Sequence, residues 1–519
     1  MGQDQPVSGA EAVIASLAEC GVTACFANPG TSEMHLVGAL DREPRIRSVL
    51  CLFEGVATGA ADGFARMEGS PALTLLHLGP GYLNGGANIH NARRAHTPMI
   101  NLIGDHAVSH RSLDAPLASD IAGLAGPNSR WMKSADRVQD AGRLAAEAYV
   151  ASFGPPPGPV SLIMPADTAW SRGSSVFRPS HRPRPAQTPD GAIEDAARRI
   201  RNGARAAILV NGSALKEEGL RACARLQAAG VRVITDTFVP RQARGAGRFA
   251  PERLPYFAEA AIKSLEGLDL LLLAGTRAPV AFFAYPDTPG RLIPEGVSAA
   301  SLGGPETDSA ATVARLAEAL GAPPPVAPPA SGAPEFDASK LNPHSVGALL
   351  ARRIPEGTVV CDDGVTASLP VFMAMESAAQ HDWLALTGGA IGMGLPLAVG
   401  ASVARPASKV VCLSGDGAGM YTNQALWTMA REGLDVISIV FVNNAYRILN
   451  IEWARTGAGE AGQTAHDMLS LGAPEIDWPQ MAKGMGVPGV SVETTEQFDT
   501  ALAHALEEPG PHLIAVRIP

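Results

Sequence analysis

Two short apolar runs, each followed directly by small and polar residues, constrain the fold of this chain more than any other feature of its sequence. The runs are Lys409–Ser414 and Val436–Val442, both rich in β-branched residues, and Thr422–Gly433 between them has the pattern of a crossover helix. Short apolar runs separated by a helix are typical of buried parallel strands. The pattern therefore predicts an open α/β sheet, in which ligands bind at the carboxyl ends of the strands.

Polar residues stand at the predicted carboxyl ends of both strands. Gly415-Asp416-Gly417 follows the first run and Asn443 follows the second, so we expect Asp416 and Asn443 to lie close together. Carboxylate and amide oxygens suit Mg²⁺, and glycines let backbone N–H groups approach a diphosphate. The alternative is a plain glycine turn with solvated asparagines, because a Gly-Asp-Gly sequence alone is a weak signal.

A second arrangement of this kind occurs near the N-terminus. Ser48–Phe53 is predicted to be a strand, Glu54 stands at its end, and Gly55–Met67 is predicted to be a helix with small residues for close packing. An ionised glutamate is rarely buried without a partner, so a Glu at this place indicates either a functional carboxylate or an exposed helix cap.

Two proline-rich stretches, Arg178–Pro189 and Gly321–Pro334, cannot form a helix or a central strand and are predicted to be linkers. They divide the chain into three domains, 1–177, 190–320 and 336–519. Strand and helix patterns alternate in each of them. The predicted fold class is therefore α/β, with three doubly wound parallel-sheet domains.

Composition excludes several classes of function. A net charge of −10 argues against non-specific nucleic-acid binding, and no apolar stretch is long enough to cross a membrane. The six cysteines are scattered without a metal-binding spacing, which is typical of buried thiols. We therefore expect a cytoplasmic protein that binds neither nucleic acid nor membrane.

Four motifs, in this order along the chain, resemble those of the thiamine-diphosphate (ThDP) enzymes of the acetolactate synthase, benzoylformate decarboxylase and pyruvate decarboxylase superfamily. The motifs are Phe26–Glu33, Glu54–Gly63, Gly388–Pro396, and Gly415-Asp416-Gly417 with Asn443. They extend over nearly the whole chain. The resemblance implies an N-terminal pyrimidine-binding domain, a central Rossmann-like domain and a C-terminal domain that binds diphosphate and Mg²⁺.

The resemblance also implies roles for single residues. Glu54 is similar to the glutamate that hydrogen-bonds the aminopyrimidine ring of ThDP and so promotes removal of the C2 proton. Asp416 and Asn443 are similar to the Mg²⁺ ligands, with the backbone carbonyl of Ala445 as a third; the usual pattern has two successive asparagines, whereas here Val442 precedes Asn443. Further cofactor contacts are implied for Thr366, Gly389, Ile391, Gly415, Gly417, Ala418 and Tyr446. The central domain has no G-x-G-x-x-G fingerprint, so we expect no FAD, although acetolactate synthases proper hold FAD there.

Candidates for acid–base and substrate roles follow from the same resemblance. His77 has the same separation from Glu54 as an active-site His of benzoylformate decarboxylase has from its Glu, and Thr31 occupies the position of a substrate-contacting Ser. The alternative for His77 is a capping or core position, and the alternative for Thr31 is a helix N-cap. The remaining substrate candidates are Asn28, His106, His110, Phe282, Phe283, Leu449 and Trp453.

The implied activity is cleavage or formation of a C–C bond next to the carbonyl of a 2-oxo acid. Ala284 stands where benzoylformate decarboxylase has a second catalytic His, which favours an acetolactate synthase-like carboligase that decarboxylates a 2-oxo acid such as pyruvate and ligates it to a second carbonyl compound. The alternatives are an aromatic 2-oxo acid decarboxylase or aldehyde lyase, and a ThDP-binding paralogue without turnover. The resemblance further implies a homodimer or homotetramer with active sites at the subunit interface.

Overall fold

Three large β-sheets and one two-stranded sheet organise the part of the chain that the computed structural model describes, residues 7–179, 182–286, 288–325 and 332–518. The predicted linkers Arg178–Pro189 and Gly321–Pro334 lie partly outside these ranges. The described end of the first linker, at Ala186, pairs with Thr307 of the central segment.

The N-terminal segment forms a six-stranded parallel sheet with helices on both faces. Its strands are β1 Val7–Ser8, β2 Ala24–Asn28, β3 Arg47–Leu50, β4 Ala72–Leu76, β5 Met99–Asp105, β6 Met132–Ser134, β7 Pro159–Pro165 and β8 Arg172–Ser174. Its helices are α1 Gly9–Glu19, α2 Met34–Asp41, α3 Glu54–Glu68, α4 Leu78–Arg94, α5 Ile121–Ala125, α6 Ala141–Ser152 and α7 Ala166–Trp170. The strand order is β3-β2-β4-β5-β7-β6, and β1 pairs separately with β8.

The central segment forms a five-stranded parallel sheet in the order β12-β10-β9-β13-β14. Its strands are β9 Ala206–Val210, β10 Arg232–Thr235, β11 Gln242–Arg244, β12 Glu252–Arg253, β13 Leu270–Ala274 and β14 Ser298–Ser301. Its helices are α8 Asp190–Arg201, α9 Glu217–Ala228, α10 Ala258–Leu265 and α11 Ser309–Ala319.

The C-terminal segment builds a seven-stranded sheet in the order β11-β16-β15-β17-β18-β20-β19. Its strands are β15 Val359–Asp363, β16 His381–Ala385, β17 Val410–Gly415, β18 Val436–Val442, β19 Gly489–Val492 and β20 His512–Arg517. Its helices are α12 Pro343–Arg353, α13 Ser368–Ala374, α14 Gly394–Ala404, α15 Asp416–Gly419, α16 Ala425–Glu432, α17 Arg447–Thr456, α18 Gln463–Leu469, α19 Trp478–Gly484 and α20 Thr495–Glu507. The edge strand β11 comes from the central segment and runs antiparallel to β16.

Helices α3 and α14 join the first and third segments through very close backbone contact. A Cβ placed on Gly63 would lie 2.1 Å from the carbonyl oxygen of Leu397, and one placed on Gly400 would lie 1.8 Å from that of Ala60. Only glycine fits at either position, because these neighbours are backbone atoms that cannot move aside. The small residues predicted for close helix packing therefore fix the position of α3, whose first residue is Glu54.

The predicted strands and helices agree with the observed ones except near the polar ends. The predicted strand Ser48–Phe53 ends at Leu50, since the chain turns before helix α3 begins at Glu54. The predicted helix Thr422–Gly433 is shorter, Ala425–Glu432, and Asp416–Gly419 forms a separate short helical turn before it. Among the described residues, no helix is both long and apolar enough to cross a bilayer. The cytoplasmic location stays a prediction.

Candidate functional site

Asp416 and Asn443 lie side by side at the carboxyl edge of the C-terminal sheet. Strands β17 and β18 pair in parallel up to Gly415 and Phe441, so the turns after them meet. One carboxylate oxygen of Asp416, Oδ2, accepts the N–H groups of Asn443 at 3.1 Å and Asn444 at 2.8 Å. Burial raises the pKa of Asp416, and these backbone hydrogen bonds act against that rise.

The two asparagines in the turn after β18 have different hydrogen-bond partners. Asn444 has left-handed backbone geometry, with φ +53°, and its side chain donates to Glu475 at 3.1 Å. The side-chain oxygen of Asn443 stays within the turn, where it accepts the N–H of Ala445 at 3.0 Å. Asn443 therefore keeps its side-chain oxygen within the turn that contacts Asp416, whereas the side chain of Asn444 binds Glu475.

The oxygen donors of these turns fit a Mg²⁺ ion that also binds phosphate. The turns offer only three protein ligands: one carboxylate, one amide oxygen and the carbonyl of Ala445. This small number suits Mg²⁺, which commonly completes its shell with substrate phosphates and water. Within the described ranges no group of three or more His, Cys, Asp or Glu side chains could hold a metal ion. The assignment of Asp416, Asn443 and Ala445 as metal ligands stays a prediction.

The turn after Asp416 leaves no room for a side chain at Gly417. A Cβ there would lie 2.4 Å from Cε1 of Tyr446, so the ring of Tyr446 covers this glycine. Ala418 is buried beneath the same turn, and Gly415 forms the N-terminal cap of α15. Gly415, Gly417, Ala418 and Tyr446 are thus brought together around Asp416.

The loop that carries Gly389 and Ile391 is held by both outer segments. Gly389 and Gly392 have φ values of +76° and +90°, which favour glycine. The side chain of Asn91 on α4 donates to the carbonyl of Ala390 at 2.8 Å and accepts the N–H of Ala390 at 3.3 Å. Ile391 is half-buried in this loop.

Asp363 also binds this loop, through backbone N–H groups. One oxygen of its buried carboxylate accepts the N–H groups of Gly392, Met393 and Gly394 at 2.7, 2.9 and 3.2 Å. Thr366 lies in the one-turn helix Val365–Ala367 that follows strand β15. The C-terminal cofactor candidates therefore all lie in turns at or beside the carboxyl edge of one sheet.

Glu54 is a buried carboxylate with a specific partner. It is the first residue of α3, only 6% exposed, and its Oε2 accepts a hydrogen bond from the side chain of Asn84 at 3.0 Å. A Cβ placed on Gly81 would lie 3.3 Å from Oε1 of Glu54 and 3.4 Å from Cβ of His77. Gly81 therefore keeps open the space between Glu54 and His77.

His77 forms a pair with Glu33, a residue that the sequence did not single out. The Nδ1 atom of His77 donates to Oε2 of Glu33 at 2.7 Å, and the other oxygen of Glu33 accepts from the Ser32 hydroxyl at 2.6 Å. The Glu33 carboxylate is fully buried. It fits only because position 104 is glycine, where a Cβ would lie 1.6 Å from Oε1 of Glu33. Glu33 therefore fixes the orientation of the His77 ring, and its place in the Phe26–Glu33 motif was the only signal for it.

Comparison with known proteins identifies the family of the chain. The profile "Thiamine pyrophosphate enzyme, N-terminal TPP binding domain" matches residues 7–124, and "Thiamine pyrophosphate enzyme, C-terminal TPP binding domain" matches residues 365–516. A protein of Mycobacterium tuberculosis, provisionally named acetolactate synthase large subunit IlvX, is 46% identical over 518 residues, which cover 99% of each chain. The chain belongs to the thiamine pyrophosphate enzyme family. The predicted resemblance is confirmed.

Two further proteins match over nearly the whole chain. Benzoylformate decarboxylase of Pseudomonas aeruginosa is 29% identical, with 96% of each chain covered. The solved structure of the thiamine diphosphate-dependent 4-hydroxybenzoylformate decarboxylase of Rhodococcus jostii RHA1 matches with a TM-score of 0.84, 26% identity and 99% of each chain covered. These matches and the three sheets confirm the predicted α/β fold class, whereas the domain boundaries stay predictions.

Four of the other substrate candidates lie in the N-terminal segment. Thr31 is exposed at the start of the one-turn helix Thr31–Glu33, and Asn28 is half-buried at the end of β2. The rings of His106 and His110 are 5.6 Å apart. His106 lines a cavity of about 270 Å³ whose lining includes neither Glu54 nor His77.

The aromatic loop of the central segment meets α17 directly. Phe282 and Phe283 are 46% and 60% exposed, and Leu449 on α17 is 44% exposed. Their neighbours Tyr285 and Glu452 are joined by a hydrogen bond of 2.6 Å. Three of the predicted substrate residues thus lie on two elements that touch each other. The indole N–H of Trp453 is engaged instead by the carbonyl of Gly459 at 2.9 Å.

A second cavity, of about 380 Å³, lies at the carboxyl edge of the central sheet. Gly212 after β9 and Gly275 after β13 line it, together with Lys216 and Arg241. The absence of FAD from the central domain stays a prediction.

Proposed function

We propose that this protein is a ThDP- and Mg²⁺-dependent enzyme that decarboxylates a 2-oxo acid and ligates the remaining fragment to a second carbonyl compound, as an acetolactate synthase does. The observation that carries the proposal is the buried Glu54 carboxylate, held by Asn84 beside the Glu33–His77 pair. The similarity of the whole chain to the Mycobacterium tuberculosis protein named for acetolactate synthase supports the carboligase reaction.

The residues at the two sheet edges would hold the cofactor from both ends. Asp416, Asn443 and the Ala445 carbonyl would bind Mg²⁺ and thereby the diphosphate, with the N–H groups around Gly417 close by. Glu54 would exchange a proton with the pyrimidine ring, a task suited to a carboxylate that is buried but hydrogen-bonded. When bound, ThDP supplies a carbon nucleophile and an electron sink for decarboxylation.

The pairing of His77 with Glu33 defines what the imidazole can do. Because Nδ1 donates to the Glu33 carboxylate, Nε2 is the nitrogen left to accept or donate a proton. The side chain of His77 is 23% exposed, so the ring is accessible to a small substrate. His77 would therefore move protons at the substrate, with Glu33 as its positioning residue.

Proton NMR of pyruvate incubated with the protein, ThDP and Mg²⁺ tests the proposal. We expect acetolactate to form, and the Glu54→Gln variant to form it at least about 100-fold more slowly, since general acid–base catalysis contributes at least that much. Glu266→Gln, an exposed position in the central segment, is the matched control and should keep full activity. Unchanged activity of Glu54→Gln would refute the role of Glu54, and absence of CO₂ release from every 2-oxo acid would favour a paralogue without turnover.

Aromatic 2-oxo acid decarboxylation is the second candidate, and the Glu33–His77 pair favours it because a positioned imidazole can protonate the product carbon. The related structure from Rhodococcus jostii is that of a 4-hydroxybenzoylformate decarboxylase. Benzoylformate and 4-hydroxybenzoylformate are therefore the probes, with the aldehyde as the product. We expect Glu33→Gln to lower kcat for these acids about 10-fold or more, at unchanged ThDP affinity, because His77 loses its orientation. An equal kcat in Glu33→Gln would show that the pair has only a structural role.

We further propose that the enzyme is a homodimer or homotetramer in which two copies share each site. Large apolar side chains are exposed beside both halves of the candidate site. They are Met34, Leu52, Leu83, Leu113 and Leu117 in the N-terminal segment, and Val365, Leu369, Met373, Met420 and Tyr421 in the C-terminal segment. Exposed apolar clusters of this kind are typical of protein–protein contacts. Sedimentation of the purified protein as a monomer at micromolar concentration, with full activity, would contradict this proposal.

A further inference from the structure

Among the described residues, five other than glycine have left-handed backbone geometry. They are Leu78, His96, Asp114, Val365 and Asn444, with φ values between +48° and +56°. This geometry is costly for most side chains, because Cβ approaches the following carbonyl oxygen. Histidine, aspartate and asparagine adopt it most readily, so the costly members of the set are Leu78 and Val365.

Burial of the side chain offsets this cost at Leu78 but not at Val365. Leu78 is 2% exposed and packs in the same hydrophobic core as Phe26 and Tyr82. Val365 is 36% exposed and belongs to no hydrophobic core of the described chain. Valine is also β-branched, and β-branched residues are rarest of all in left-handed geometry. Glycine would make the same turn at a lower backbone cost.

Hydrogen bonds on both sides fix the turn that contains Val365. The carboxylate of Asp362, which is 3% exposed, accepts the N–H of Gly364 at 3.1 Å and the hydroxyl of Ser368. The N–H of Ala367 donates to the carbonyl of Gly364 at 2.9 Å. The fold therefore imposes the left-handed geometry on Val365 and fixes the direction in which its Cβ leaves the backbone.

Val365 lies among the turns assigned to the cofactor. It directly precedes Thr366, and the turn Val365–Ala367 packs against strand β17, which leads to Asp416. The same turn packs against helix α17, which begins directly after Tyr446. Residues held in costly backbone geometry are concentrated at active sites and ligand-binding turns. An exposed valine held in this way indicates that a group from outside the chain contacts its side chain.

We propose that the side chain of Val365 contacts bound ThDP and holds the cofactor against the turn of Thr366. This inference adds a residue to the cofactor site and rests on the ThDP binding of the proposed function. The rigid turn presents the two methyl groups of Val365 before the cofactor arrives, and such pre-organisation lowers the cost of binding. A second copy of the chain is the competing contact, because Leu369 and Met373 on α13 continue the exposed apolar surface.

Two substitutions separate the backbone of Val365 from its side chain. Val365→Ala keeps a Cβ in left-handed geometry and removes two methyl groups, whereas Val365→Gly removes the backbone cost as well. Calorimetric titration with ThDP in the presence of Mg²⁺ measures the affinity. We expect both variants to bind ThDP about tenfold more weakly than the wild type, the factor for two buried methyl groups.

Urea denaturation without ThDP tests the backbone cost by itself. We expect Val365→Gly to unfold at a higher urea concentration than Val365→Ala, because alanine retains the unfavourable Cβ. Asp114→Gly is the matched control, since Asp114 is also left-handed, with φ +48°, and is exposed in the loop between β5 and α5. This control should keep the wild-type affinity for ThDP. Sedimentation of each variant at the same concentration tests the contact with a second copy, and we expect the wild-type profile.

The outcomes distinguish this inference from the proposed function. Wild-type ThDP affinity in both Val365→Ala and Val365→Gly would overturn the inference alone. Weaker binding accompanied by dissociation into monomers would assign Val365 to the contact between copies and overturn it too. If Val365→Gly is no more stable than Val365→Ala, the left-handed geometry is not costly and the inference is wrong. If the wild type itself does not bind ThDP, the proposed function fails and the inference fails with it.

Discussion

Replacing Asp363 by asparagine should remove a pH dependence of stability that the wild-type protein has between pH 5 and 8. The Asp363 carboxylate is 1% exposed, and its Oδ2 accepts three N–H groups of the loop that carries Gly389 and Ile391. Its Oδ1 is buried without a partner among the described residues. Burial is the main cause that raises the pKa of Asp363 from its ordinary value of 3.8 to about 7, although the three N–H groups lower it.

The sign of the effect follows from the protons bound in each state. Between pH 3.8 and about 7 the folded protein holds a proton on Asp363 that the unfolded chain has released. The stabilisation associated with that proton is complete below pH 3.8 and is lost as the pH rises through 7. From pH 5 to pH 8 the free energy of unfolding should therefore fall by about 2 to 3 kcal/mol on account of this group. The asparagine side chain of the variant would not titrate, and its amide can occupy the place of the protonated oxygen.

Urea denaturation of the wild type and of Asp363→Asn at pH 5.0 and pH 8.0 measures this effect. Every other titrating group is common to both proteins, so we expect the wild-type free energy of unfolding, relative to the variant, to fall by about 2 to 3 kcal/mol between the two pH values. Asp41→Asn, at an exposed position, is the control and should show a constant difference. If the difference for Asp363→Asn is also constant to within about 0.5 kcal/mol, the carboxyl is not protonated when buried and the reasoning is wrong.

Two glycine substitutions test the close contacts that shape the site. In Gly417→Ala the new Cβ would lie 2.4 Å from Cε1 of Tyr446, so the ring must move, and we expect ThDP affinity measured by calorimetry to fall about tenfold or more. In Gly63→Ala the new Cβ would lie 2.1 Å from the carbonyl oxygen of Leu397, and we expect a loss of about 1 to 3 kcal/mol in urea unfolding. Gly86→Ala, another helical position with nothing within 4 Å, is the control and should be neutral or slightly stabilising. Unchanged ThDP affinity in Gly417→Ala would show that the Tyr446 ring moves without disturbing the cofactor site. Equal stability of Gly63→Ala and Gly86→Ala would show that the backbone yields at Leu397.

Local patterns were sufficient for the two strands that lead to Asp416 and Asn443 and for the turns at their ends. The run Val436–Val442 is a strand with the predicted bounds, and all seven of its residues are buried. Because parallel strands bring their carboxyl ends to one edge, the meeting of Asp416 and Asn443 also followed from the sequence. Periodicity and turn residues act over a few positions, which is why they can be read without coordinates.

Contacts between distant residues could not be predicted in the same way. Glu33 acts on His77 only because β2 and β4 are neighbours and because position 104 has no side chain. Three residues at Gln242–Arg244 are too few to show a strand pattern, yet they extend the C-terminal sheet. These pairings depend on how the segments pack, and no short stretch of sequence carries that information.

The sequence by itself determined the fold class, the family and the order of the cofactor turns, because each of these depends on motifs of a few residues and on the spacing between apolar runs. Only the tertiary structure showed the partners of three carboxylates: Glu33 with His77, Asp363 with the N–H groups of the loop that carries Gly389, and Glu452 with Tyr285. The physical reason is that the state of a buried carboxylate is set by its partners and its burial, and both come from residues far away along the chain.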